Sequence, residues 1–217
     1  MKRSLLLILF IVSLFLSCQN EAEKMDKTYQ DTKDKEVSSG VKKDTIFMDF
    51  VLGMTEAAYF KHADELVLKG KLRRDANYPS GKIYAFDLSF PMSDGVNGSY
   101  EATATVVPNI TDDDKLCELF TSYKLNPYPS AALTKALLVG LLAKKYGYDY
   151  LKLPKSNKQE ADEYDYYWLD GNREINIFTG DSENAVVSYH DIILKEEDNK
   201  RTKEYEKLKN EQAIDDL

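Results

Sequence analysis

Apolar and polar residues change rhythm several times along this chain, and each rhythm predicts an element. After Thr55, the residues Tyr59, Ala63, Leu66 and Val67 recur at helical spacing and form one apolar face. The Thr55 hydroxyl suits an N-cap, Glu56 suits the positive end of the helix dipole, and Lys69-Gly70 supplies a stop. Over residues 82–90 the even positions Tyr84, Phe86, Leu88 and Phe90 are apolar, while Asp87 and Ser89 take the other side. Residues 99–107 repeat the alternation, with Tyr100, Ala102, Ala104 and Val106 set against Glu101, Thr103 and Thr105. Period-two alternation of this kind predicts antiparallel strands with one wet face, joined here through the turn residues 94–98. Residues 116–123 read as a third strand.

A second helix is expected from Ser130 to about Tyr146. Leu133, Leu137, Leu138, Leu141 and Leu142 lie nearly all round it, which predicts the most buried element of the fold. Beyond it, two alternating runs flank Asp170-Gly171-Asn172, a strong hairpin signal, and residues 185–194 read as a last strand. The order is helix then three strands, met twice about 75 residues apart. The expected fold is therefore α+β, two helices packed on an antiparallel sheet, and a duplicated αβββ unit is one reading of it. The body spans residues 45–194, with halves at 45–125 and 126–194.

The ends behave differently. Lys2 and Arg3 precede an apolar run from Leu5 to Leu16, then Ser17, Cys18 and an abrupt switch to polarity. The run is too short for a membrane span, which needs about 20 apolar residues, and has the layout of a secretory signal. With Cys after a small residue, the segment resembles the lipobox of bacterial lipoproteins, although Phe15 stands where that box usually has Leu. The resemblance implies a signal peptide at 1–17, a lipidated Cys18 at the mature N-terminus, and attachment to a membrane through that lipid. Residues 19–23, Gln-Asn-Glu-Ala-Glu, are similar to the acidic export signals of Bacteroidetes lipoproteins, which implies the outer membrane, with surface display favoured over the periplasmic side. Residues 18–44 carry few large apolar side chains and are expected to form a disordered charged tether. Residues 195–217 are again charged, a tail or a solvated helix.

The formal charge of −8 includes Lys2 and Arg3, so the mature chain is near −10. That balance argues against nucleic acid and against adsorption to anionic lipid. With Cys18 lipidated, Cys117 has no intrachain partner and is expected to be a small buried residue. His62 and His190 stand alone in sequence. No nucleophile elbow, phosphate loop, zinc motif or paired C-x-x-C occurs, so no catalytic residue, metal ligand or cofactor is assigned. Asp112-Asp113-Asp114 lacks the glycine punctuation of a calcium loop and reads as a turn.

Gly53-Met54-Thr55 followed by a helix and strands resembles the start of small SmpA/OmlA-type lipoproteins and their β-lactamase-inhibitor-like relatives. This implies a protein-binding module and carries over no functional residue. The candidate binding residues come from the chain itself: Tyr164, Tyr166, Tyr167 and Trp168, large rings of the kind that dominate protein interfaces and sugar platforms. Strand geometry divides them, with Tyr164, Tyr166 and Trp168 on one side and Tyr167 on the other. The expected function is non-enzymatic binding of an envelope protein by a lipid-anchored body. A glycan-binding or glycan-processing accessory is the alternative.

Overall fold

In a computed structural model of the chain, residues 21–76, 83–91, 98–127, 130–155, 164–181 and 183–215 are described. Cys18, the signal segment and residues 94–97 of the expected turn lie outside them. The described residues form four α-helices: α1 over residues 21–38, α2 (Glu56–Leu68), α3 (Ala131–Tyr146) and α4 (Ile192–Asp215). Strands β1 (Arg73–Arg74), β2 (Tyr84–Pro91), β3 (Ser99–Ile110) and β4 (Leu116–Asn126) follow α2. Strands β5 (Leu151–Pro154), β6 (Tyr164–Asp170), β7 (Arg173–Thr179) and β8 (Asn184–Asp191) follow α3.

All eight strands join one antiparallel sheet in the order β1-β2-β3-β4-β8-β7-β6-β5. The fold is α+β. Each half is a helix followed by four strands, and the two halves meet where β4 pairs with β8, Thr121 opposite Val187. The expected αβββ order lacked β1 and β5, whose two and four residues are too short to show a period.

The alternation decides which side of the sheet is the core. Tyr84, Phe86, Phe90, Ala102, Ala104 and Val106 from the first half meet Trp168, Ile175, Ile177, Val187 and Tyr189 from the second. Helix α2 adds Tyr59, Ala63 and Leu66, with Thr55 accepting from the Ala58 amide at 3.2 Å and Gly70 at φ +68° ending it. Helix α3 starts at the Ser130 cap and ends at Gly147 with φ +99°.

Two expectations need correction. Helix α3 is not buried all round: Leu138, Leu142 and Ala143 face the core, whereas Leu133 and Leu141 are 36% and 47% exposed. An apolar residue on each side of a helix does not bury each side when only one side meets a sheet. The second correction concerns residues 18–44, expected to be a tether. From residue 21 they form α1, whose half-buried positions 22, 25, 29, 32, 33, 36 and 37 follow helical spacing. The segment after α1 is knitted to the β6–β7 turn. The Asn172 amide donates to Val41 O at 3.2 Å, the Lys43 amide donates to Asn172 Oδ1 at 2.6 Å, and Arg173 donates to Thr45 O at 2.8 Å. Gly171, at φ +63°, leaves room for this approach, since a Cβ there would lie 2.2 Å from Val41 O. The charged C-terminal segment is helical, and its residues 201–209 are exposed.

Candidate functional site

Strand β6 divides its rings as strand geometry requires. Trp168 is buried on the core side and donates from Nε1 to Gly147 O at 2.8 Å. Tyr166 is half-buried on the same side, with the Lys135 ammonium 5.3 Å from its ring centre, and Lys135 also donates to the Tyr164 carbonyl. Tyr166 and Trp168 therefore belong to the packing on the core side, not to an outward strip, and Tyr164 is held beside them through its carbonyl. Tyr167 points to the second face of the sheet, where the Tyr29 ring of α1 meets it edge-on at 5.0 Å. Burial pushes its hydroxyl up to about 12.

That second face holds the densest chemistry among the described residues, and no sequence motif announces it. The strand register lines up Asn109, Glu118, His190 and Glu174 across β3, β4, β8 and β7. Ser188 sits one row away and donates to Glu118 Oε1 at 2.5 Å. His190 lies between two carboxylates, Nδ1 3.7 Å from Glu118 and Nε2 3.5 Å from Glu174. Helices bring the remaining members: Tyr29 of α1 donates to Glu174 Oε2 at 2.6 Å, and Lys195 of α4 pairs with Glu118 at 2.6 Å. Lys33 of α1 reaches Glu196 of α4 at 2.6 Å, which ties the two helices together.

Burial sets the charge state of this row. His190 is pushed down to about 3, mainly by loss of water and further by Lys195 and Lys33, so its imidazole is neutral at neutral pH. Glu174 is raised by the same desolvation, against the Tyr29 hydrogen bond and the pull of Lys33 and Lys195. Cys117, next to Glu118, is buried, and its thiol is raised to about 11, chiefly by desolvation, so it is not a thiolate nucleophile.

Serine, imidazole and carboxylates side by side are ingredients of acid–base catalysis. Here the Ser188 hydroxyl is given to Glu118, and Glu118, Glu174, Ser188 and His190 are all 7% exposed or less. In this arrangement the row fastens α1 and α4 to the sheet. No group of three His, Cys, Asp or Glu among the described residues is arranged to hold a metal ion. The only sequence signal for the row was a set of polar residues at even positions of β7 and β8, which looks like an ordinary wet face.

Beyond α1 and α4 the described part of the second face carries apolar side chains. Val107 pairs with Phe120, and Phe178 with Val186, as half-buried apolar side chains outside the core cluster. Thr103, Thr105, Ser122 and Lys124 surround them, and the margin holds exposed Glu101 and the ion pairs Arg73–Asp87 and Lys124–Glu183. None of the described helix-to-sheet bonds reaches these apolar pairs. Comparison with family models, with curated proteins and with solved structures found no match to this chain in any of the three.

Proposed function

We propose that the protein is a lipid-anchored envelope protein that binds a protein partner on the part of its second sheet face beyond α1 and α4, without catalysis of its own. The observation that carries this reading is the pair of apolar contacts Val107–Phe120 and Phe178–Val186, presented on a rigid sheet outside the core. Apolar side chains ringed by polar ones are the usual make-up of a protein interface. The glycan alternative drew on the rings of β6, and Trp168 and Tyr166 lie on the core side. The anchor rests on the lipobox-like segment ending at Cys18, with the outer membrane as the proposed location. No helix among the described residues is long and apolar enough to cross a membrane.

Photocrosslinking tests the binding face. A benzoylphenylalanine at position 120 and one at 178 should give the same adduct in intact envelopes, and one at position 205 should not. The purified partner should bind the Phe120→Ser chain at least tenfold more weakly. Identical adducts from all three positions would remove the face as the site.

A further inference from the structure

We infer that the end of the molecule formed by the C-terminal turn of α3, the segment to β5 and the start of α1 is seated on a bilayer surface rich in anionic headgroups. The inference rests on the lipid anchor proposed above and names the surface that the anchor brings into contact.

Chain length carries the first step. Cys18 is three residues from Glu21, the first described residue of α1, and three extended residues span at most about 10 Å. With α1 docked on the sheet, a lipid on Cys18 holds the body close to the membrane instead of on a long leash. The start of α1 is at the sheet edge. Glu21, Lys24 and Met25 line one side of a cleft of about 420 Å³, and Tyr150, Leu151 and Lys152 line the other. Whatever surrounds β5 is therefore what a nearby membrane meets.

The surface around β5 has the composition such a contact needs. The net charge of −8 conceals a local excess of lysine: residues 144–155 hold Lys144, Lys145, Lys152 and Lys155 against Asp149, and the start of α1 adds Lys24 and Lys27 against Glu21, Glu23 and Asp26. Lys144, Lys145 and Lys152 are exposed, and Tyr148 is 71% exposed. Leu141, 47% exposed, lies on the outer side of α3 one turn before Lys144–Lys145. Lys145 lies 5.0 Å over the Tyr146 ring, and Lys152 lies 5.9 Å from the Tyr150 ring centre. Lysines flanking tyrosines and leucines suit a headgroup boundary: rings sit at the interface and ammonium groups reach phosphates. Each lysine near an anionic surface adds attraction within a Debye length.

The test couples the mature chain through the Cys18 thiol to a maleimide lipid, which is selective because Cys117 is buried. Vesicles are either phosphatidylcholine alone or phosphatidylcholine with about a third phosphatidylglycerol, and both carry a headgroup nitroxide. Tyr148→Trp and Tyr205→Trp chains report proximity by quenching, measured as the difference from the parent chain, which has Trp168 only. On anionic vesicles the position 148 probe should be quenched several-fold more than the position 205 probe. Lys144→Glu, Lys145→Glu and Lys152→Glu together should return it to the level on neutral vesicles. Equal quenching at 148 and 205, or quenching at 148 that ignores charge reversal, overturns the inference. Protection of position 148 that grows with protein density on neutral vesicles also overturns it, assigning the surface to a second copy. The anchor itself is tested apart from this, by the mass of the Cys18 peptide from native membranes, so the two ideas can fail separately.

Discussion

Both halves of the sheet set serine hydroxyls against glutamates on the second face, one set in the open and one under helices. In the first half Ser89 and Ser99 each donate to Glu101 at 2.6 Å in the open, and these bonds lower the Glu101 carboxyl. Across the junction Ser188 donates to Glu118 at 2.5 Å under α1 and α4, and nearby Glu174 is raised by burial. Residue types are alike and the strand geometry is alike. The difference is the cover that α1 and α4 provide. A polar face is therefore not a wet face by composition: a helix with its own tyrosine and lysines can close it, provided each carboxylate finds a donor.

The core beneath both halves sets the scale for the largest effect. Leu138→Ala should lower stability by about 2–5 kcal/mol, since Leu138 is buried on the core side of α3. Leu141→Ala, three residues on and 47% exposed, should change it by less than about 1 kcal/mol. Chemical denaturation of both chains checks the pair. Comparable losses would mean that α3 is covered on both sides.

A glycine pair separates the clasp from ordinary turns. Gly171 and Gly70 both have positive φ, +63° and +68°. Alanine at Gly70 meets nothing within 4 Å and should cost only the backbone term, about 1 kcal/mol. Alanine at Gly171 adds a clash with Val41 O and should cost roughly 2–3 kcal/mol while loosening the segment after α1. Amide exchange over residues 24–38 should rise in the Gly171→Ala chain and stay unchanged in the Gly70→Ala chain. Equal behaviour would show that the clasp does not hold α1.

How much of this was legible follows from where the apolar period was clean. Strands β2, β3, β6 and β7 alternate against an apolar core, and the Asp170-Gly171-Asn172 turn adds a conformational signal, so their order could be read. Helix α1 could not. Its inward positions include Met25 and Tyr29 but also Lys33 and Glu36, because the face it covers is polar. A period finder tuned to apolar residues sees only a charged run. The row Glu118–His190–Glu174 was hidden for the complementary reason, as its burial depends on helices more than 80 residues away in the chain for Tyr29. The β6 rings were visible as rings, and only packing under α3 could say which side they serve.

The serine pair is the next smaller effect. Ser188→Ala leaves a buried Glu118 oxygen short of a donor and should cost about 1–2 kcal/mol, partly offset by Lys195. Ser89→Ala removes an exposed bond from Glu101, and no measurable loss is expected. Thermal melts at constant pH check both, and a larger loss at Ser89 would reverse the assignment of cover.

The smallest effect is the pH response of the sealed row, where two groups act with opposite sign. His190 is depressed from 6.5 to about 3, so below pH 6.5 the unfolded chain takes up a proton that the folded chain refuses. Stability contributed by neutral His190 is complete above pH 6.5 and falls as the pH drops, by about 1 kcal/mol between pH 6.5 and 5.5. Glu174 is raised above 4.5, so above that pH the folded chain holds a proton more readily than the unfolded one, and lowering the pH favours folding. The two groups act with opposite sign in the parent chain. Glu174→Gln should therefore leave a stability that declines from pH 6.5 to 5.5, and His190→Gln should remove that decline. Neither change is expected at Glu101, whose lowered carboxyl titrates well below this window. Two variants with the same slope as the parent would show that water reaches the row, and with it that α1 does not seal the second half.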